Sequence, residues 1–452
     1  TTTATAMPVN RRMRRVGFIV TPTEYNDRGV IMSHNSVESP PDGRWRVSLK
    51  RLLLVFLAFV AIGVALPFGC VGNRQFNTSP DGFLRVRTTE GGLPYAVAVV
   101  EFDDQGEPWD LAQLDAAVDV IHRLNAQSEH GVILHQFIHG WKSNASRDED
   151  SGQRLAWFEE EIVRLAEYSE ASAIRTGEPA RPVVGLYVGW RGRTYSWPVL
   201  IDASFWNRRI AAHRVASMRL IEVLERTVRA AKENADSKAF LLGHSMGGMV
   251  LEKTIGPIVM STVIALSTSG GSVPVSYDVI VSANPSTVAL YTKQLIDVLK
   301  RSDAELVLED ADGSRRPAAG PMMVSLTSEA DVVTRVMVPL AMNVNSIFVR
   351  FRDDRDRTMP SQRRLGVHTA GHLPFLHSHT VAVRDDEVVL TEIPGRWNDT
   401  PFWVFRVPAE ISADHGDISS PLLGRLLFDL MELNEVFDPE SELRLAGRPD
   451  SG

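Results

Sequence analysis

Residues 238–250 read Lys-Ala-Phe-Leu-Leu-Gly-His-Ser-Met-Gly-Gly-Met-Val. The apolar run Ala239–Leu242 stops at Gly243, Ser245 stands between Gly243 and Gly247, and Gly248 opens an apolar-periodic stretch. This succession predicts a buried strand, a sharp turn and a helix, with one serine at the turn. Such a turn forces its central residue into a strained backbone conformation. Glycines two positions before and two after it leave room across the bend. The serine hydroxyl then stands over a helix N-terminus, whose free N–H groups and dipole favour developing negative charge. A glycine-rich turn with an idle serine is the competing reading. The strand and helix attached to the motif favour a nucleophile.

The chain has 452 residues, enough for two or three average domains or one large α/β domain with insertions. Its 44% apolar content supplies a sizeable core. The net charge of −8 is uneven: residues 1–51 hold nine Lys or Arg against four Asp or Glu, a net +5, which leaves −13 for the rest. An acidic body argues against nucleic acid as a partner. The single cysteine, Cys70, excludes an internal disulfide and any multi-cysteine metal site.

Residues 1–49 form a basic, aperiodic region that reads as disordered, with Met32 a candidate initiator. Lys50-Arg51 then precede the uncharged run Leu52–Leu66. Residues 50–71 therefore read as a signal peptide, with Cys70 as a lipidation site, or as an uncleaved anchor just long enough to span a bilayer. A buried core helix is the third option, although the run lacks a polar face. Either export reading predicts a membrane-attached protein whose acidic body lies on the extracytoplasmic side. Residues 72–92 read as a polar linker.

From residue 93 to 435 apolar runs alternate with helical periodicity. Strands are expected at Tyr95–Glu101, Val132–Ile138, Val183–Val188, Tyr277–Ser282, Met322–Leu326 and Pro401–Val407. Helices are expected at Asp110–Leu124, Gln153–Ala166, Ser204–Lys232, Val288–Lys300 and Pro421–Leu433, with a helix from the serine turn to about Ile264. This alternation implies an α/β fold: a mainly parallel sheet flanked by helices on both faces. Residues 340–400 break the rhythm with a charge cluster and four histidines, and read as an insertion or cap before the last strand. Residues 436–452 read as a C-terminal tail.

Gly243-His-Ser-Met-Gly-Gly resembles the nucleophile elbow of the α/β-hydrolases, lipases and esterases in particular. The resemblance covers roughly residues 93–335 and 401–433. It implies a serine, acid and histidine in that chain order, the last two following late strands. A serine hydroxyl needs a base to remove its proton, and a carboxylate to hold that base's tautomer. Asp331 follows the strand Met322–Leu326 and is the expected acid, with Glu329 as substitute. His415 follows the last strand and is the expected base, with Gly416 expected to let its loop bend. Among His368, His372, His377 and His379, His379 is the reserve base. No carboxylate or cysteine stands in register with these four, so no metal is expected.

Acyl transfer also needs donors for an oxyanion. The backbone N–H of Met246 is one. His139-Gly140-Trp141 resembles the His-Gly segment of lipases, which makes the Trp141 N–H the second. His139, Gly140, His244 and Trp190 complete the expected substrate-binding set, with His244 a packing or hydrogen-bonding neighbour rather than the base. The other rim aromatics, Tyr187, Tyr195, Trp197, Phe205 and Trp206, divide between pocket and core. The resemblance implies a cofactor-free serine hydrolase acting on a small-molecule or lipid ester. An acyltransferase or thioesterase, or a catalytically silent scaffold serving as an envelope binding module, are the alternatives. The sequence leaves oligomeric state open.

Overall fold

The computed structural model describes residues 71–147, 154–195, 198–269, 276–301, 307–309, 315–317, 321–351, 361–384, 387–394 and 401–433. Chain contacts divide the protein into Thr1–Ile62 and Gly63–Gly452, and every described element belongs to the second unit. The expected membrane segment, Cys70 included, lies outside the described residues apart from Val71. Among the described residues no helix is long and apolar enough to cross a membrane.

Elements follow in the order β1 (Leu84–Thr88), β2 (Pro94–Phe102), α1 (Leu111–Gln127), β3 (Ile133–Ile138), α2 (Arg154–Thr176), β4 (Val183–Trp190), α3 (Phe205–Val215), α4 (Met218–Lys232), β5 (Lys238–His244) and α5 (Met246–Ser269). Then come β6 (Val279–Ala283), α6 (Ala289–Arg301), β7 (Val307–Glu309), β8 (Arg315–Pro317), β9 (Met323–Ser328), α7 (Val338–Asn345), β10 (His379–Arg384), β11 (Glu387–Glu392), β12 (Phe402–Val407) and α8 (Pro421–Leu433). Eight strands form one sheet in the order β1-β2-β4-β3-β5-β6-β9-β12. Only the edge strand β1 runs antiparallel.

Alternation within the strands feeds two cores. In β5, Ala239 and Leu241 join Leu224 of α4 and Val250 of α5 on one face. Phe240 and Leu242 join Phe158 of α2 and Leu426 of α8 on the other. Each fully buried Leu or Phe contributes about 1.5–3 kcal/mol, so two-sided burial dominates the stability of the sheet. The mainly parallel sheet with helices on both faces is the expected architecture.

Two expectations need correction. Residues 72–92 are not a free linker. Phe83 is buried, β1 pairs with β2, and the Asn77 N–H and side chain donate to Glu101 Oε1 at 2.7 and 3.0 Å. A strand of mixed polarity suffices at a sheet edge. The helix expected over Ser204–Lys232 breaks at Ala216-Ser217, where the Ser217 hydroxyl accepts from the Leu220 N–H and caps α4. The described part of 340–400 stands outside the main sheet, as an insertion does. Its β10–β11 hairpin abuts β12, where Ser378 N donates to Val404 O at 2.7 Å, and Thr369 bridges to Val288.

His135, His139 and His244 are at most 3% exposed. Burial, the largest cause in each case, lowers their pKa: to about 3 for His135, about 4 for His139, and well below the ordinary value for His244. Glu252 is raised to about 7 by burial. Below pH 6.5 the unfolded chain therefore takes up protons at these histidines that the folded chain does not, while Glu252 works in the opposite sense. Stability rises with pH where the unfolded state binds more protons. The expected outcome is a stability that falls on acidification through this window, read from urea denaturation, with His213, His372 and His379, each lowered to about 4 chiefly by burial, acting in the same sense. A stability flat across it contradicts neutral burial of the three rings.

Candidate active site

β5 ends at His244, and α5 begins at Met246, leaving Ser245 alone in the turn. Its φ is 58°, in the left-handed region that non-glycine residues avoid. That conformation costs on the order of 1–2 kcal/mol. Three backbone hydrogen bonds hold it: Ser245 N donates to Ala283 O at 2.9 Å, and Ser245 O accepts from Met249 N at 3.2 Å and Ser286 N at 3.1 Å. At about 1 kcal/mol each they offset the strain.

The glycines serve close approach. A Cβ on Gly247 would stand 2.0 Å from Ile138 O, and one on Gly243 would stand 2.7 Å from Gly247 O. A Cβ on Gly140 would stand 2.6 Å from Ser245 Cβ and 2.7 Å from His244 O. The end of β3 therefore lies directly against the serine turn.

The structure joins Ser245, His415 and Asp331 in one line. Ser245 Oγ lies 2.7 Å from His415 Nε2, and His415 Nδ1 lies 2.8 Å from Asp331 Oδ2. With Nδ1–H donating to the carboxylate, Nε2 is bare and accepts the serine proton. Exposure is 2% for Ser245, and 15% and 0% for the His415 and Asp331 side chains. Burial alone would raise the Asp331 pKa. Hydrogen bonding and charge from His415, with two hydrogen bonds from Thr334, outweigh it and hold the carboxyl below its ordinary value. Asp331 is therefore ionised at neutral pH, as an imidazole orienter must be. Thr334 N donates to Asp331 Oδ1 at 2.9 Å, the Thr334 hydroxyl donates to Oδ2, and His372 Nε2 lies 2.9 Å from that hydroxyl.

His415 is placed by its backbone. Its carbonyl accepts from His244 Nε2 at 2.7 Å and from Asn284 Nδ2 at 3.2 Å. Asn284, with φ 47°, also accepts from Ser328 N at 2.7 Å, tying β6, β9 and the histidine loop together. Arg154 donates to Gly416 O, and Ala413 N donates to Asp417 Oδ2 at 2.8 Å. Nothing in the local sequence around Asn284, Thr334 or Arg154 signals these roles beyond their residue types. Gly416 departs from expectation: it lacks a positive φ, and a Cβ there meets nothing nearer than 3.4 Å. Polar contacts, not glycine freedom, shape this loop.

The N–H groups of Trp141 and Met246 find no acceptor among the described residues. Met246 opens α5, where amides lack intrahelical partners. Lys142, at φ 69°, donates its N–H to Gly192 O at 3.1 Å, fixing the turn that carries Trp141. The Trp141 ring is core: its Nε1 donates to Ser204 Oγ at 3.2 Å, and it meets Phe205 edge-on.

The substrate-binding set is corrected. His139 Nε2 accepts from Trp190 N at 2.9 Å, its Nδ1 lies 2.9 Å from Gly140 O, and Trp190 Nε1 donates to His139 O at 2.9 Å. Both rings are buried and brace the strand ends. His244 serves the His415 carbonyl, and Gly140 packs against the Ser245 side chain. Tyr187 and Phe205 are likewise core, and Trp197 lies outside the described residues. Glu329 is exposed and accepts from Ala409 N, away from His415. His379 packs against Trp403, the ring centroids 4.1 Å apart and the planes tilted by 42°. His368 and His377 lie against Arg364 O and Gly371 O.

No protein-family model matches the chain, and no curated protein does. Among solved structures, the crystal structure of TT1662 from Thermus thermophilus aligns at 14% identity over 68% of this chain and 91% of that one. The TM-score is 0.28, too slight a likeness to bear on fold or function.

Gly140→Ala and Gly416→Ala separate the two kinds of glycine. Gly140→Ala is expected to cost about 1–3 kcal/mol by overpacking the serine turn, while Gly416→Ala stays within about 0.5 kcal/mol. Urea midpoints measure both. Equal midpoints contradict the close approach at Gly140.

Proposed function

We propose that this protein is a serine hydrolase of the α/β-hydrolase type that cleaves carboxylic esters through an acyl-enzyme intermediate. The observation that carries the reading is the continuous hydrogen-bonded line from the Ser245 hydroxyl through His415 to Asp331. Ser245 attacks the ester carbonyl as His415 Nε2 takes its proton. Asp331 keeps the imidazole in the accepting tautomer and stabilises the imidazolium. The Trp141 and Met246 amides receive the oxyanion, each such donor typically contributing about 3 kcal/mol to the transition state. His415 then protonates the leaving alcohol, and water repeats the sequence on the acyl-enzyme. No step draws on a metal or organic cofactor. Attachment to a membrane through residues 50–71, and a lipid ester as substrate, belong to the same proposal.

p-Nitrophenyl esters of graded chain length test it. The expected outcome is turnover in the wild type, with kcat in Ser245→Ala, His415→Ala and Asp331→Asn lowered about 10³–10⁶-fold. Folding of each variant is checked by circular dichroism. Wild-type turnover in His415→Ala overturns the assignment of the base.

Asn284→Ala removes one of two donors to the His415 carbonyl, together with the acceptor of Ser328 N and a residue type that tolerates φ 47°, while the side chains of Ser245, His415 and Asp331 are unchanged. A fall of about 10-fold in kcat, with KM little changed, is expected for a mispositioned base. An unchanged kcat contradicts that role for Asn284.

A further inference from the structure

A cavity of about 660 Å³ adjoins the loop that carries Asp331. Glu329 and Ala330 line it, and none of Ser245, His415 and Asp331 does. Its ionisable lining is Glu329, Arg335, Arg364, His368, His372 and Arg406. These side chains come from separate parts of the chain: the loop after β9, the helical turn Val333–Met337, the short helix Gln362–Val367, the turn Ala370–His372 and β12. The rest of the lining is one leucine and two alanines.

Arg335, Arg364 and Arg406 are exposed, and none forms an ion pair or a side-chain hydrogen bond among the described residues. Arg364 lies over the Phe375 ring at 5.7 Å, which leaves its charge unneutralised. Glu329 is the one carboxylate of the wall, and its Oε1 accepts from the Ala409 N–H at 3.2 Å. Glu410 follows Ala409 but does not line the cavity. Three arginines against one glutamate leave two positive charges in excess, counting both histidines as neutral. A cleft lined by one sign of charge concentrates ions of the other.

His372 shows that the cations converge. Burial is the largest cause that lowers its pKa, to about 4; the Asp331 charge opposes it, and the charges of Arg406 and Arg335 add to it. Both guanidinium groups therefore lie within electrostatic reach of one ring. That ring is itself tied to the triad: His372 Nε2 lies 2.9 Å from the Thr334 hydroxyl, which donates to Asp331.

We propose that this cavity binds a phosphate group, whether free or borne on a lipid. The chemistry selects the class. A phosphate monoester carries close to two negative charges at neutral pH and three acceptor oxygens. Guanidinium forks match those oxygens in pairs. A carboxylate brings one charge and two oxygens, and leaves half of the excess charge unmet. An apolar ligand would find only one leucine and two alanines to bury it. Binding here requires no reaction at Ser245.

Isothermal titration of the full-length protein with inorganic phosphate at constant ionic strength tests the site, with acetate as the control. The expected result is one saturable site for phosphate, with acetate about tenfold weaker or worse. Arg335→Gln, Arg364→Gln and Arg406→Gln are each expected to weaken phosphate binding about tenfold, as loss of a charged hydrogen-bond donor does. All three change exposed side chains, and an unshifted thermal midpoint checks the fold. Arg123→Gln, the same charge change on α1 outside the cavity, is expected to leave binding as it was, and so is Ser245→Ala. Vesicles of phosphatidylcholine with and without phosphatidate separate the two sources. Retention on phosphatidate vesicles that Arg406→Gln abolishes supports the site with a lipid head group as ligand. Saturable phosphate binding without retention supports it with a soluble phosphate. Absence of saturable phosphate binding, binding that survives intact in all three arginine variants, or acetate that binds as well as phosphate overturns the proposal.

Discussion

Ser245 stands at φ 58° in a turn where its backbone is held from both ends. Its N–H goes to the last residue of β6, and its carbonyl receives amides from α5 and from the segment after β6. That single strained residue links β5, β6 and α5. It also sets the direction of the hydroxyl, because a left-handed residue between a strand and a helix turns its side chain out of both. The strain is local, and its restraint is distributed over three elements, which is how strained backbone persists at sites. Close packing adds a second constraint: Gly243, Gly247 and Gly140 bring three backbone segments nearer than any side chain allows.

Asp331 and His415 arrive at the same edge from the carboxyl ends of β9 and β12. Asp331 is wholly buried and tied to Thr334, so its charge has no freedom to leave the imidazole. His415 is held at its carbonyl by His244 and Asn284. The residue before the serine thus positions the His415 loop, and the residue after β6 couples that loop to β9. Burial makes His244 a neutral ring, which suits a role as backbone donor and not as a competing base. Crevices at the carboxyl ends of parallel strands are where α/β sheets present such groups.

Much of this was legible from residue order. The glycine spacing around Ser245 reflects backbone collisions and so is written into the chain. Alternating apolar runs and helical periods fixed most strand and helix positions, because two-sided burial leaves a pattern. The positions of Asp331 and His415 followed from late strand ends together with the resemblance to α/β-hydrolases. The misreadings share a cause. His139 and Trp190 were assigned to substrate because polar aromatics at strand ends serve either ligand or scaffold, and only their mutual hydrogen bonds decide. Asn284, Arg154 and Thr334 act on atoms distant in sequence, where no local spacing reports them. β1 lay hidden because an edge strand needs only a partial apolar face. The Ala216-Ser217 break was masked by continuous helical periodicity on both sides.

Activation of one hydroxyl by one imidazole is the claim beneath all of this. The most direct measurement is peptide mapping after treatment of the folded, full-length protein with a fluorophosphonate. Trypsin releases Ala239–Lys253, in which Ser245 is the one serine. The expected result is a stoichiometric adduct on Ser245, formed far more slowly in His415→Ala. A folded protein that stays unlabelled, or that labels at another residue, would contradict it.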